Sequence, residues 1–202
     1  MNKKLLTGAV LALTSLMIAA GPAPMIWNVD VPHTGINFSV KHFFTPIHGQ
    51  FDDYEIELIY DRENPENSSV RVSIDVASVN TGNDRRNDHL MSADFFEAEA
   101  YPYITFVSES VRQIADDKLL VRGPLTIKGQ VHYVELPITI LGVKDIPAQM
   151  QEMLGGITQV ASFETELRVV RGDYGVGVGS WAANIVVGDN VDISIAVEAN
   201  RK

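Results

Sequence analysis

The chain has 202 residues, no cysteine and a formal net charge of −10. This length allows one domain of ordinary size with a single hydrophobic core. The lack of cysteine excludes a disulfide scaffold and a thiol nucleophile. The negative charge repels phosphate backbones and anionic headgroups, so we expect neither nucleic-acid binding nor adhesion to a membrane surface.

The first twenty residues have the layout of a secretory signal peptide. Lys3 and Lys4 precede the apolar stretch LLTGAVLALTSLMIAA, which ends in small residues. This stretch is shorter than the roughly 20 residues of a membrane-spanning helix. We therefore predict a signal peptide over 1–20, export from the cytoplasm, and a single mature domain over 21–202.

From Ile36 onward, apolar and polar residues alternate in eight segments. The segments are INFSVKHF, YEIELIY and VRVSIDV, followed by about 102–112, 117–127, 130–143, 157–171 and 190–200. Such alternation predicts antiparallel strands with one buried face. Helical patterns are confined to about 84–99 and 146–154, so the sheet must close on itself or stack on a second sheet to cover its apolar face.

We predict an all-β fold, an eight-stranded antiparallel barrel with a short helical plug segment. A barrel of this size is filled by its own side chains or holds one small ligand. A β-sandwich is the alternative fold, and a solidly packed structural barrel with no ligand is an alternative to a binding function.

An apolar ridge runs through the charged segment 84–99. Phe95 and Phe96 belong to this ridge, and the segment connects two strands, so it lies at one end of the barrel. We predict that the two phenylalanines plug that end, while Arg86 and Asp88 lie at the rim and fix the helix.

The same segment raises an enzymatic alternative. Arg86, Asp88 and His89 are close in sequence, as in a lipid-modifying hydrolase, but the segment supplies no nucleophile or metal site. We therefore predict no catalytic residues and a protein that is not an enzyme.

The histidines do not have the spacing of a metal site. None of the five occurs in an HxH or HxxxH pattern, and no cysteine assists them, so we predict neither a metal nor another cofactor. His42 is in phase with Phe38 and Val40, which predicts that it faces inward and meets the polar head of a ligand.

Inward positions on several strands, together with the plug, form the predicted ligand-binding set. Its apolar members are Ile36, Phe38, Val40, Ile56, Leu58, Val72, Ile74, Phe95, Phe96, Ile104, Phe106, Leu136, Ile138, Phe163, Leu167, Ile193 and Ile195.

The segment 144–156 places apolar residues at helical spacing. Met150 and Met153 belong to this pattern, and Gly155 ends it. A helix that covers one edge of the barrel is the favoured interpretation, and a second lid is the alternative.

Four sequence blocks occur in order along the chain. They are WNVDVPHTGINFSVKHF followed by HGQF, then SVNTGNDRRNDHLMSADFFEAEAYPYITFVS, GPLTIKGQVHYVELPI, and RGDYGVG before the last strand. Through these blocks the chain resembles the YceI-like polyisoprenoid-binding family from about Trp27 to Gly142, with a looser match towards the C-terminus. It departs from the family pattern over 144–162.

The resemblance implies a lipocalin-like periplasmic barrel with an elongated apolar tunnel. It implies binding of polyisoprenoids, isoprenoid quinones or similar long lipids, with no established catalysis. A membrane enzyme that donates or accepts the lipid, and a homodimer, stay open as partners, whereas nucleic acid is not expected.

Overall fold

The structure is a computed structural model that describes residues 25–181 and 185–202. The predicted signal peptide, 1–20, lies outside the described residues. The strands are β1 Ile26–Val29, β2 Gly35–His42, β3 Thr45–Phe51, β4 Tyr54–Ile59, β5 Ser69–Asp75, β6 Val79–Asn80, β7 Tyr103–Val107, β8 Ser110–Ala115, β9 Lys118–Ile127, β10 Gln130–Asp145, β11 Gln159–Val170 and β12 Val187–Arg201. The α-helices are α1 Asp84–Met91 and α2 Ala148–Gln151.

These strands form one closed, eight-stranded antiparallel barrel, which confirms the predicted fold. Each of the first four barrel strands consists of two segments, namely β1 with β2, β3 with β4, β5 with β6, and β7 with β8. Neighbours in sequence pair with one another around the barrel, and β12 closes it by pairing with both β1 and β2. The eight segments predicted from alternation each lie in a different one of these barrel strands.

The alternation in sequence becomes alternation in burial. In β9, Leu119, Val121, Leu125 and Ile127 are buried, while the residues between them face outward or are only half-buried. Gly123 takes the remaining inward position at the point where β9 changes partner from β7 to β8. A Cβ atom there would lie 2.0 Å from the carbonyl oxygen of Val107, so this close approach of two backbones requires glycine.

The two ends of the barrel carry different connections. At the end that we call the α1 end lie α1, the β2–β3 turn, the β9–β10 turn and the described residues of the segment 171–186 between β11 and β12, namely 171–181 and 185–186. At the opposite end, the α2 end, lie the start of β1 and the connection that contains α2. None of the helices among the described residues is long and apolar enough to cross a bilayer.

Both helices are shorter than their sequence patterns suggest. The side chain of Asn83 accepts a hydrogen bond from the backbone N–H of Arg86, at 3.0 Å, and so caps the start of α1. The helix ends at Met91, because the Ser92 hydroxyl bonds to the His89 carbonyl and the chain continues as turns. These turns direct both phenylalanines that follow towards the barrel interior, which one helical face could not do for adjacent residues.

Candidate functional site

The barrel encloses an apolar cavity of about 170 Å³ at its α1 end, which we call the main cavity. Most of the predicted ligand-binding residues border it. These are Ile36, Phe38, Val40, Val72, Ile74, Phe95, Phe96, Ile104, Phe106, Leu136, Leu167, Ile193 and Ile195. The remaining apolar residues of that set, Ile56, Leu58, Ile138 and Phe163, border a smaller apolar cavity of about 90 Å³ nearer the α2 end.

The two cavities are successive layers of the same interior. Leu136 borders the main cavity, and Ile138, two residues further along β10, borders the smaller one. On β12, Ile195 likewise borders the main cavity, and Val197, two residues further along, borders the smaller one. Because residues two apart on a strand point to the same side, side chains between these layers divide the interior. The structure therefore has two cavities in line where the resemblance implied one elongated tunnel.

Aromatic side chains close the α1 end of the main cavity. Phe95 is buried, and its ring contacts those of His89 and Trp181 at centroid distances of 4.9 and 5.8 Å. Phe96 meets Phe51 at 6.2 Å in an edge-to-face contact. Both predicted plug residues thus lie over the cavity, and they are held there by aromatic contacts.

The charged residues near the plug do not converge on a common point. Arg86 donates from Nε and Nη2 to the hydroxyl and carbonyl oxygens of Thr81, at 2.7 and 2.6 Å, while Asp88 is exposed. His89 Nε2 lies 3.3 Å from a carboxylate oxygen of Asp94. Arg86 thus anchors the residues just before α1, and His89 packs as part of the plug.

His42 does not reach the cavity. It is the last residue of β2, it is exposed, and its ring contacts the ring of the adjacent Phe43 edge-on, with the centroids 4.9 Å apart. The expectation that it faces inward is wrong. The pairing of β2 with β12 is irregular between Val187 and Val191, next to His42, so the inward face does not extend to the last residue of β2.

An aromatic group closes the α2 end, and sequence reasoning identified only one of its members, Phe163, as a site residue. Trp27, Tyr60 and Phe163 are buried there, with ring centroids 6.1 Å apart for the first pair and 5.1 Å for the second. The indole N–H of Trp27 donates to the carbonyl oxygen of Tyr60 at 3.0 Å. The tryptophan opens the first of the four sequence blocks, and that position was the only signal for it.

A buried arginine at the edge of the main cavity was also missed. Arg171 is 5% exposed, and its guanidinium donates to five backbone carbonyls. The acceptors are the carbonyl oxygens of Gly188, Val176, Gly177, Trp181 and Val187. The distances are 3.0 Å to Gly188, 3.0 Å to Val176, 2.9 Å to Trp181 and 3.1 Å to Val187.

A guanidinium has five N–H donors, so these bonds use its full capacity. Arg171 therefore ties Val176, Gly177 and Trp181 to the start of β12 and keeps no donor for a ligand. A carboxylate oxygen of Asp189 lies 3.7 Å away and offsets the charge. The sequence motif RGDYGVG was a signal for this residue, since it lies directly before the last strand.

A third concavity lies on the outer wall of the barrel. It is an open groove of about 910 Å³, bordered by polar residues such as Asn37, Gln50 and Arg168. It is larger than the interior cavities, but an apolar chain lying in it would stay in contact with water. The enclosed main cavity is therefore the candidate site.

One surface cluster has the residue types of a metal site. Ligand atoms of Asp30, His33 and Glu198 lie within 4.8 Å of one another. His33 Nδ1 is 3.1 Å from a carboxylate oxygen of Asp30, and this hydrogen bond raises the pKa of His33. Since the imidazole pairs directly with the carboxylate, the cluster is explained as a surface ion pair.

The segment 144–156 lies away from both interior cavities. None of its residues, all of them described, borders either cavity, and Met150, Met153 and Leu154 are exposed. The arrangement agrees with a helix at the edge of the α2 end.

Comparison with known proteins places the chain among similar barrels. The YceI-like domain model matches residues 27–199. Protein YceI of Escherichia coli O17:K52:H18 is 34% identical over 200 residues, which cover 97% of each chain. The crystal structure of BcnA from Burkholderia cenocepacia has a TM-score of 0.74 and 28% identity, and covers 85% of this chain and 99% of that one. A polyisoprenoid binding domain from Saccharophagus degradans shares the fold, with a TM-score of 0.62, 16% identity, and coverage of 88% and 99%.

Proposed function

The chain belongs to the YceI-like domain family, and on that premise we propose that it binds the apolar chain of a lipid inside its barrel. The ligand class is a polyisoprenoid, an isoprenoid quinone or a similar amphiphile, carried in the periplasm after export. The observation that supports the proposal is an enclosed, apolar main cavity whose one buried charge, Arg171, has all its donors engaged.

Apolar burial alone is sufficient for useful affinity. Each buried methylene contributes about 0.8 kcal/mol, so ten would contribute about 8 kcal/mol before the cost of ordering the chain. No ion pair with the protein is needed. Selectivity then depends on the length and shape of the chain more than on its head group.

The size of the cavities sets a condition on binding. A cavity of about 150 Å³ holds a benzene-sized ligand, and the main cavity, at about 170 Å³, is of this size. A long chain therefore enters only if the side chains between the two layers move apart and join the main cavity to the smaller one. We expect the bound protein to have one continuous channel.

The proposal is tested by blocking the main cavity from within. Ile193 borders it, while the next residue on β12, Ser194, faces outward and is exposed. The Ile193→Trp variant should lose co-purifying lipid in organic extracts analysed by mass spectrometry, and Ser194→Trp should keep it.

Thermal unfolding shows whether both variants are folded, since overpacking costs about 1–3 kcal/mol. A milder variant, Val72→Phe, narrows the same cavity and should give a smaller loss of lipid. Equal lipid content in all variants, or no lipid in the parent protein and no uptake from detergent-solubilised isoprenoids, contradicts the proposal.

A further inference from the structure

The turn between β2 and β3 consists of two phenylalanines. His42 pairs with Thr45, so Phe43 and Phe44 are the whole turn. Phe43 has φ 52°, in the left-handed region, where two-residue hairpin turns normally have Gly, Asn or Asp. An aromatic side chain at such a position strains the backbone. Residues that break a local rule in this way tend to mark functional positions.

Both side chains of this turn face solvent. Phe44 is 93% exposed and Phe43 is 52% exposed. The backbone N–H of Phe43 donates to the carbonyl oxygen of Val186 at 2.7 Å, which brings Ile185, 72% exposed, beside the turn. We call Phe43, Phe44 and Ile185 the apolar tip.

The hairpin that carries the tip differs in charge from the rest of the chain. The chain contains 26 acidic residues, yet residues 31–51 contain no Asp or Glu. Lys41 and His42 directly precede the tip and are exposed. A lysine beside exposed aromatic residues suits the boundary between lipid headgroups and acyl chains, where aromatic rings enter and cations remain at the phosphates.

The tip also lies next to the main cavity. Val40 borders that cavity, and Phe43 follows it by three residues, or roughly 10 Å of extended strand. Val187, which also borders the cavity, pairs with His42. A surface that contacted the tip would therefore face the α1 end of the cavity.

We propose that the apolar tip inserts into the surface of a zwitterionic lipid bilayer and turns the α1 end of the barrel towards it. Insertion does not require attraction between opposite charges, so it is compatible with the acidic character of the whole protein. The proposal goes beyond lipid binding in the cavity and does not depend on which molecule the cavity holds.

The test is flotation of the purified, delipidated protein with phosphatidylcholine vesicles. In the double variant Phe43→Asn, Phe44→Asn, asparagine tolerates the left-handed turn, so the fold is preserved. We expect vesicle affinity to fall by roughly tenfold or more for each phenylalanine removed from the bilayer. The control Met153→Asn removes a residue that is 73% exposed at the α2 end, and it should float like the parent.

A second measurement locates the tip in the bilayer. In the Phe44→Trp variant, brominated phosphatidylcholine should quench fluorescence that the parent, with Trp27 and Trp181, does not lose. The proposal is overturned if the double variant floats as well as the parent, if the parent does not float, or if Phe44→Trp shows no extra quenching.

Light scattering tests whether the apolar tip instead contacts a second copy of the chain. If the double variant converts a dimer to a monomer while flotation is unchanged, the tip is a contact between copies and the membrane proposal fails. A protein that floats normally but carries no lipid after purification contradicts only the proposed function of the cavity.

Discussion

Replacing Arg171 by methionine tests whether the buried guanidinium holds the α1 end closed. Methionine keeps an unbranched apolar stem but is shorter than arginine and lacks all five N–H donors. The carbonyl oxygens of Val176 and Gly177, which are bonded in the buried part of the site, lose their partner. Those of Gly188, Trp181 and Val187 are only partly buried and can bind water instead.

The expected loss of stability follows from this difference between the acceptors. A hydrogen bond to a charged group contributes about 1.5–3 kcal/mol, and the two buried acceptors account for most of the effect. We expect the free energy of unfolding to fall by about 3–5 kcal/mol, the range found when one partner of a buried charged pair is removed. For a chain of this size, that corresponds to a decrease in Tm of about 6–20 °C.

The matched control is the same substitution three residues earlier. Arg168 pairs with Asp192 at 2.6 Å, but both side chains are mostly exposed, so Arg168→Met should cost at most about 1 kcal/mol. Urea unfolding, followed by tryptophan fluorescence, measures the free energy of unfolding of both variants. Lipid release should also be faster in Arg171→Met, because the segment 171–186 is no longer tied to β12. Equal stabilities for the two variants would refute this reasoning.

Three further substitutions test other parts of the structure. Gly123→Ala places a methyl group against the carbonyl of Val107, so the two backbones must separate there. We expect the free energy of unfolding, measured by urea unfolding, to fall by more than the roughly 1 kcal/mol of an average substitution. Phe163→Ala should lower the free energy of unfolding by about 3–5 kcal/mol. Because the substitution enlarges the smaller cavity, it should also shift the extracted lipids towards longer chains. An unchanged distribution of chain lengths would contradict a ligand that reaches this layer. The Asp30 carboxylate raises the pKa of His33 above 6.5 in the folded state, so this pair stabilises the protein fully below pH 6.5 and the effect is lost as pH rises through the raised pKa. The urea midpoint of His33→Gln should therefore fall below that of the parent only at the acidic end of a titration from about pH 5 to about pH 8.5.

The barrel could be predicted from sequence because alternation is a strong signal. In β12, Val191, Ile193 and Ile195 face inward between the outward polar residues Asp192 and Ser194, and the alternation of burial continues over residues 190–197. The segments that escaped prediction are short or lack alternation. β1 has four residues, and β3 contains Pro46 and Gly49, which weaken a strand pattern.

The apolar wall of the candidate site was predictable for the same reason, but its polar and aromatic closures were not. The alternation of residues shows which positions face inward, such as Val72, but not how far along a strand the inward face extends. For that reason His42 was wrongly predicted to face inward. Arg171 meets its carbonyl partners across a loop, and Trp27 meets Tyr60 at the end of the neighbouring strand, 33 residues away in sequence. Contacts between residues far apart in sequence leave no periodic pattern, so sequence inspection cannot find them.

The closure of the barrel has a consequence for how the protein matures. The strand that seals it, β12, pairs with β1, and the Asn28 side chain reaches the carbonyl of Asn200, 172 residues away. Pairings of such long range form slowly, because a long loop must close before they contribute any stability. Until the fifteen residues of β12 have paired with β1 and β2, the sheet is open and two strand edges lack a partner. The enclosed main cavity therefore exists only after β12 has closed the barrel.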